Sequence, residues 1–185
     1  MRIIAGKFKG IRLESPSGND VRPTTDRIKE TIFNILTNKK DFYGATVLDV
    51  FSGSGALGIE ALSRGADSAV FCDANRQSIA LTKLNLSKIK SSAMVYAGDY
   101  KTVLKKLRGN KFDFIFADPP YAAGFYDKVL DLVENCELLA KNGIIILEYS
   151  AQDDLLINEK RYIIDTRKFG SVKVSFLSAK EGLNE

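Results

Sequence analysis

A regular alternation of strand-like and helix-like segments after Gly44 is the feature that most constrains the fold. Short apolar runs rich in β-branched and aromatic residues predict strands, and longer segments between them predict helices. The five strand-like runs are TVLDVF (46–51), SAVFCD (68–73), AMVYAG (93–98), FDFIFA (112–117) and GIIILEYS (143–150). This alternation predicts a parallel sheet covered by helices on both faces.

The two ends of the chain depart from the alternation. Residues 161–169 and 172–179 predict two strands with only Gly170 and Ser171 between them, so these strands must pair antiparallel. Residues 153–157 are expected to form a short helix. Residues 2–16 predict a short β-hairpin. The predicted fold is therefore α/β: a doubly wound, mostly parallel seven-stranded sheet with an antiparallel last strand, after an N-terminal hairpin and helix.

The N-terminal helix is expected to begin near Asp26, with Thr24 or Thr25 as its cap. Apolar residues recur along it at helical spacing and predict one buried face. That face comprises Ile28, Ile32, Ile35 and Leu36.

Length and composition indicate one globular domain. The chain has 185 residues, of which 45% are hydrophobic, and no apolar run approaches the roughly 20 residues of a membrane span. No signal peptide is evident, so a cytoplasmic, monomeric protein is expected. With no histidine and two isolated cysteines, no metal site is predicted.

Positive charge is concentrated at the N-terminus. Residues 1–40 contain nine Lys or Arg and four Asp or Glu, whereas residues 41–185 are nearly neutral. We therefore divide the chain into a basic extension, 1–40, and a catalytic unit, 41–185. A basic extension favours a polyanionic partner, although a solvated lysine-rich face has the same composition.

A glycine-rich turn follows the first predicted strand. Gly53, Gly55 and Gly58 have the spacing of a nucleotide-binding turn, and Asp73 ends the next strand twenty residues after Gly53. An acidic residue at that place can accept hydrogen bonds from both ribose hydroxyls of a nucleoside.

Asp49 and Asp99 narrow the choice of nucleoside. Asp49 lies inside the first strand, where its carboxylate would repel a pyrophosphate but suit a cation, which favours S-adenosylmethionine over a nicotinamide cofactor. A carboxylate that caps nearby backbone N–H groups is the alternative interpretation of Asp49. Asp99, after the third strand, can accept from an adenine amino group, cap the next helix, or do both.

The fourth strand ends in Asp118-Pro119-Pro120-Tyr121, which resembles a reaction site more than a turn. Prolines hold the preceding residues extended and donate no hydrogen bond, so the Asp118 carboxylate and the Pro119 carbonyl form a rim of acceptors. Two acceptors match the two donors of an NH₂ group, and Tyr121 can stack on the ring that carries it. The sequence leaves open whether Asp118 or water accepts the departing proton.

Several stretches resemble the RsmD-type bacterial methyltransferases, which modify guanine N2 in 16S ribosomal RNA. They are VLDVFSGSGALGIEALSRGA (47–66), DPPY (118–121) and the opening RIIAGKFKGIRL with RPTTDRIKETIFNIL (22–36). The resemblance implies a Rossmann-like class I methyltransferase. It assigns S-adenosylmethionine binding to Asp49, Phe51, Gly53, Gly55, Asp73 and Asp99, and catalysis to Asp118, Pro119, Pro120 and Tyr121. Phe51 stands where many methyltransferases have glycine, a departure usual in this family.

Resemblance and charge together imply an RNA-binding N-terminal extension that contacts 16S ribosomal RNA or the assembling small subunit. Its candidate residues are Arg2, Lys7, Lys9, Arg12, Arg22 and Arg27. The alternatives are a DNA adenine-N6 methyltransferase, for which no target-recognition domain is visible, and a nicotinamide-dependent oxidoreductase. A non-catalytic RNA-binding module would not need the acceptor rim.

Overall fold

The computed structural model describes residues 1–16, 26–119, 125–155 and 157–180, which form one sheet of seven strands flanked by five helices. The strands are β1 (Thr46–Val50), β2 (Ser68–Asp73), β3 (Met94–Ala97), β4 (Phe112–Ala117), β5 (Leu139–Ser150), β6 (Tyr162–Phe169) and β7 (Val172–Ala179). The helices are α1 (Asp26–Lys39), α2 (Ala56–Ser63), α3 (Arg76–Lys88), α4 (Tyr100–Lys106) and α5 (Phe125–Asn135).

The strand order is β3-β2-β1-β4-β5-β7-β6. Strands β1 to β5 pair in parallel, and β7 is antiparallel to both β5 and β6. The predicted doubly wound sheet with an antiparallel last strand is confirmed. No described helix has the length and apolarity needed to cross a bilayer.

The N-terminal residues pair back on themselves, but as one antiparallel bridge between Arg2 and Arg12 and not as two regular strands. Ile3 donates to the carbonyl of Ile11 at 3.0 Å, close to that bridge. The predicted hairpin is therefore present only in part. Pairing stops early because the next backbone N–H groups donate to a side chain of α2, described below, instead of to a partner strand.

The prediction of a short helix at residues 153–157 was wrong, since the described residues of this segment lie outside every helix. Asp153 donates from its backbone to Ser150, and Lys173 donates to the Asp153 carbonyl and the Asp154 carboxylate. Leu155 packs against the hydrophobic core that contains residues of α4 and α5. A segment of five residues gains too few helical hydrogen bonds to offset the cost of helix nucleation, and the contacts described here form without a helix.

Alternating strand residues build a separate core on each face of the sheet. In β4, Phe114 and Phe116 face the core covered by the N-terminal residues, α1, α2 and α3, whereas Ile115 and Ala117 face the core covered by α4 and α5. The basic N-terminal segment and α4 therefore lie on opposite faces of the sheet.

A buried ion pair fastens the N-terminal segment to α2. Lys29 and Glu60 are both fully buried, with the Lys29 ammonium 3.3 Å from the Glu60 carboxylate and 2.6 Å from the Arg2 carbonyl. Glu60 also accepts hydrogen bonds from the backbone N–H groups of Ile4 and Ala5, at 2.8 and 3.0 Å. Lys29 thus belongs to the anchor of the N-terminal segment and not to its basic surface.

Replacing Lys29 by Met should lower the free energy of unfolding by about 3 kcal/mol, because the buried Glu60 carboxylate then loses one of its two cationic partners. Arg64, 2.9 Å from Glu60, remains as the other partner. Urea denaturation measures the change. Arg2→Met is the control: it breaks an exposed pair with Asp26 and should cost less than about 1 kcal/mol. Equal losses for the two variants would show that the buried pair does not anchor the segment.

Candidate active site

The carboxyl ends of the central strands meet at one edge of the sheet. In the strand register, Val50 pairs with Cys72 on one side and with Ala117 on the other. The glycine-rich turn after β1, Asp73 at the end of β2 and Asp118 after β4 therefore stand side by side. This is the edge at which open α/β sheets bind ligands.

The three glycines of the turn meet different requirements. A Cβ on Gly55, whose φ is +77°, would lie 3.0 Å from the Thr82 side chain, and one on Gly58 would lie 2.4 Å from the Phe71 ring. Gly53, at φ +56°, would meet nothing within 4 Å. Packing thus requires Gly55 and Gly58, while Gly53 leaves its backbone open to an approaching ligand.

Two buried polar residues of α3 hold this turn, and sequence reasoning missed both. Thr82 donates to the carbonyl of Gly53 at 2.9 Å, and Asn85 donates to the carbonyl of Ser54 at 2.9 Å. Asn85 also exchanges two hydrogen bonds with the backbone of Glu14, which ties the N-terminal segment to the turn. The sequence signal that could have identified them was two polar residues three positions apart, which places them on the same face of α3 as its apolar residues.

The Asp73 carboxylate can accept further hydrogen bonds. One of its oxygens accepts from the N–H of Gly53 at 2.9 Å and the other from the N–H of Asn75 at 2.8 Å. A carboxylate has about four lone-pair sites, so each oxygen retains acceptor capacity. Asp99 is exposed and accepts from the N–H of Lys101 at 2.8 Å, which confirms that it caps α4.

Asp49 is almost fully buried inside β1 and accepts a hydrogen bond from the N–H of Gly58 at 3.0 Å. The backbone-capping interpretation of this carboxylate is therefore confirmed. Burial raises the pKa of Asp49 to about 8, with a further increase from the charge of Asp73, against the opposing effect of the Gly58 hydrogen bond. A cation bound nearby would favour its ionised form.

A third carboxyl group joins Asp49 and Asp118, and sequence reasoning missed it. Glu148 of β5 is buried and follows Leu147, which pairs with Ala117. Burial raises the pKa of Asp118 well above its usual value, and the charges of Glu148 and Asp49 raise it further. The sequence signal that could have identified Glu148 was an acidic residue inside the apolar run GIIILEYS. Asp49 in β1 was identified by the same kind of signal.

The acceptor rim is described only in part. Asp118 is half-buried and Pro119 is buried directly after β4, as the sequence predicted. Pro120 and Tyr121 lie outside the described residues. Asp118 directly follows Ala117, which is level with Val50 in the strand register.

An aromatic cluster borders the same edge. Phe51 has a φ of +64°, in the region where glycine is usual, and its ring centroid lies 5.1 Å from that of Tyr100 and 6.2 Å from that of Phe125. The Tyr100 hydroxyl is buried and has no hydrogen-bond partner in the described part of the chain. A buried hydroxyl without a partner at this edge of the sheet fits a site that accepts a polar ligand.

Only some of the predicted RNA-binding residues lie close together in the structure. Arg2, Lys9 and Arg27 line one cleft of about 450 Å³, together with Asp26 and Glu30. Lys7 stands over the Phe8 ring and Arg12 lies at the antiparallel bridge, both outside the lining of this cleft. Arg22 lies outside the described residues. Among the described residues, no group of three or more acidic, cysteine or histidine side chains is arranged to hold a metal ion.

The reversed β7 between β5 and β6 separates this sheet from the 3-2-1-4-5-6 order of nicotinamide-binding domains. This sheet and the similar proteins described below place the protein in the class of Rossmann-like class I methyltransferases. The family model described as conserved hypothetical protein 95 matches residues 1–178. The chain therefore belongs to this family, the RsmD-type methyltransferases.

Relatives extend over most of the chain. Ribosomal RNA small subunit methyltransferase D of Escherichia coli K12 is 35% identical over 156 residues, covering 84% of this chain and 77% of that protein. The protein of the same name from Haemophilus influenzae is 32% identical, covering 93% and 90%. The solved structure of Escherichia coli yhhF has a TM-score of 0.86 at 32% identity and covers 97% and 98% of the two chains.

The raised pKa of Asp49 predicts a pH-dependent stability. Between about pH 4 and pH 8 the folded protein retains a proton that the unfolded chain releases, so the free energy of unfolding should fall as pH rises through this window. Asp49→Asn should reduce that slope by up to about 1.4 kcal/mol per pH unit. Urea denaturation at several pH values measures the slope. Asp67→Asn, at an exposed position before β2, is the control and should leave it unchanged. An unchanged slope in Asp49→Asn would contradict the assignment.

Proposed function

We propose that this protein transfers a methyl group from S-adenosylmethionine to the exocyclic N2 amine of a guanine in 16S ribosomal RNA of the small subunit. The observation that carries the proposal is the convergence of Asp49, Asp118 and Glu148 at the carboxyl edge of the sheet, where an acceptor rim begins at Asp118 and Pro119. Relatives named for small-subunit ribosomal RNA methylation support the choice of substrate.

The cofactor would be held by residues of three strand ends. Asp73 would accept from the ribose hydroxyls, Asp99 from the adenine amino group, and Asp49 would favour the cationic methionine end through its charge. The open backbone at Gly53 allows close approach. When bound, S-adenosylmethionine supplies an electrophilic methyl group, so the chain itself needs no strong nucleophile.

Asp118 would bind and orient the substrate amine. Its carboxylate and the Pro119 carbonyl would accept the two N–H groups, which turns the nitrogen lone pair away from the rim. Once the bound cofactor cation favours the ionised form of Asp49, its negative charge and that of Glu148 would stabilise positive charge as it develops on that nitrogen. Their proximity and burial also raise the pKa of Asp118, which favours Asp118 over water as the proton acceptor. Tyr121 would stack on the base.

The N-terminal segment would bind ribosomal RNA through Arg2, Lys9 and Arg27 around their cleft, with Lys7, Arg12 and Arg22 as further phosphate contacts. A guanine in a loop can be splayed out of its stack into the active site. We propose that the enzyme acts as a monomer in the cytoplasm, on 16S RNA or on the assembling small subunit.

Methyl transfer tests the function directly. The protein is incubated with S-adenosylmethionine labelled in the methyl group and with small subunits lacking the modification, protein-free 16S RNA or duplex DNA, and the nucleosides are then analysed. N2-methylguanosine from the ribosomal samples is the expected product. Methyladenine from DNA would instead support the DNA adenine-N6 alternative. A larger thermal stabilisation by NAD than by S-adenosylhomocysteine would overturn the cofactor assignment.

Asp118→Ala should lower kcat by at least about 10- to 200-fold, because it removes a charge-assisted acceptor of roughly 1.5–3 kcal/mol that strengthens as charge develops on the amine. Asp118→Asn retains one acceptor but presents an NH₂ group to the substrate amine, so it should also be slow. Cofactor affinity should change little, since Asp73 and Asp99 lie on other strands.

Asp131→Asn, on the exposed face of α5, is the matched control and should turn over at the parent rate. Turnover at the parent rate by Asp118→Ala would place the reaction at another residue. Measuring kcat and cofactor affinity on the same preparations separates a catalytic loss from a loss of folding.

A further inference from the structure

Helix α4 carries a second concentration of positive charge, which the near-neutral total of residues 41–185 conceals. The seven residues of the helix, 100–106, contain three Lys and no Asp or Glu. Lys101, Lys105 and Lys106 are exposed on the outer side of the helix, while Val103 and Leu104 face the core. We call these three lysines the α4 basic face.

The α4 basic face is not neutralised within the described part of the chain, where no carboxylate forms an ion pair with any of its three lysines. Some other lysines are paired: Lys40 lies 2.6 Å from Asp113, and Lys88 lies 2.6 Å from Glu14. Unpaired lysines concentrated on one helix create a local positive potential that is suited to a polyanion.

The position of α4 relates this charge to the reaction site. The helix begins directly after Asp99, and the ring of its first residue, Tyr100, packs against Phe51 and Phe125 at the catalytic edge. Helix α4 covers the face of the sheet opposite to the N-terminal segment. The catalytic edge is thus flanked by positive charge on both faces.

An aromatic and apolar surface adjoins the lysines. The Lys106 ammonium stands 4.9 Å from the centroid of the Tyr96 ring on β3, which is an edge strand. Beside Tyr96, Met94 is 54% exposed. Cationic side chains beside a partly exposed ring are typical of surfaces that hold single-stranded nucleic acid, where lysines contact phosphates and bases stack on aromatic rings.

We propose that the α4 basic face binds the phosphate backbone of the RNA substrate, so that the RNA is held from both faces of the sheet while its target base enters between them. This proposal rests on the proposed function, because it names a second contact surface for the same substrate. Lysines that merely prevent edge-to-edge pairing at β3 would have the same composition but would not affect RNA binding.

The test is a triple variant, Lys101→Gln, Lys105→Gln and Lys106→Gln, which removes charge but keeps a polar, unbranched side chain of similar helix propensity. Binding of 16S RNA is measured at several salt concentrations. The slope of log affinity against log salt should become smaller in magnitude by about 2 to 3, because three counterion-release contributions are lost. KM for small subunits should rise on the order of tenfold or more, with kcat and the thermal stabilisation by S-adenosylhomocysteine nearly unchanged.

Two matched variants serve as controls. Replacing the same three lysines by Arg keeps the charge and should keep the parent slope. Lys111→Gln, Lys141→Gln and Lys160→Gln removes three exposed lysines near the amino ends of β4, β5 and β6, away from the catalytic edge, and should also keep it. If the triple Gln variant of α4 does not fold, Lys105→Gln alone should still reduce the slope by about 0.7 to 0.9.

The outcomes separate this proposal from the proposed function. An active parent enzyme with an unchanged salt slope and KM in the α4 variants would overturn the proposal and leave the function intact. A parent that binds RNA with a slope reduced by the α4 variants, but methylates no ribosomal substrate, would support the surface and overturn the function. Equal losses in the α4 and control variants would show a general effect of net charge and contradict a specific surface.

Discussion

The parallel pairing of β1 with both β2 and β4 is the constraint on which the rest of the structure depends. Because Val50 is level with Cys72 and Ala117, the chain leaves all three strands at the same edge of the sheet. The glycine-rich turn, Asp73 and Asp118 are neighbours for this reason alone. Helices on both faces bury these strands, so any carboxyl group placed on them loses water.

Desolvation separates the carboxyl groups of the catalytic edge from those elsewhere. Asp49 and Asp118 have raised pKa values because burial and like charges both disfavour ionisation. Asp113, at the opposite end of β4, differs: burial raises its pKa, but hydrogen bonds from Lys40 and Thr46 outweigh burial and lower it. Asp113 thus has a cationic partner in Lys40, whereas Asp49 accepts a backbone hydrogen bond from Gly58 and forms no ion pair within the described part of the chain.

Glu60 fixes the position of the N-terminal segment against α2. This buried carboxylate accepts from Ile4 and Ala5 and pairs with Lys29, while Asn85 bonds both Glu14 and the carbonyl of Ser54 in the glycine-rich turn. The N-terminal segment is therefore hydrogen-bonded to α2, which follows the glycine-rich turn, and to α3, which holds that turn. We therefore expect a displacement of the N-terminal segment to change the position of the glycine-rich turn.

Local pattern determined much of this protein. The alternation of elements, the glycine positions and the acidic residues at strand ends follow from periodicity and backbone sterics, which act over a few residues, so the sheet and Asp49, Asp73 and Asp118 were predictable. The order of the last strands was predictable only as an antiparallel pair, because the sequence does not say that β7 lies between β5 and β6.

Tertiary structure decided what depends on contacts between distant residues. In the sequence Lys29 has the appearance of a surface charge, but in the structure it is buried and paired with Glu60, thirty-one positions away. Glu148 lies near Asp118 only because β5 pairs with β4. The positive charge of the α4 basic face is hidden in the nearly neutral total of residues 41–185, because a net charge does not show which side of a helix a residue occupies. Sequence specifies local geometry, whereas burial and proximity arise only when the whole chain packs.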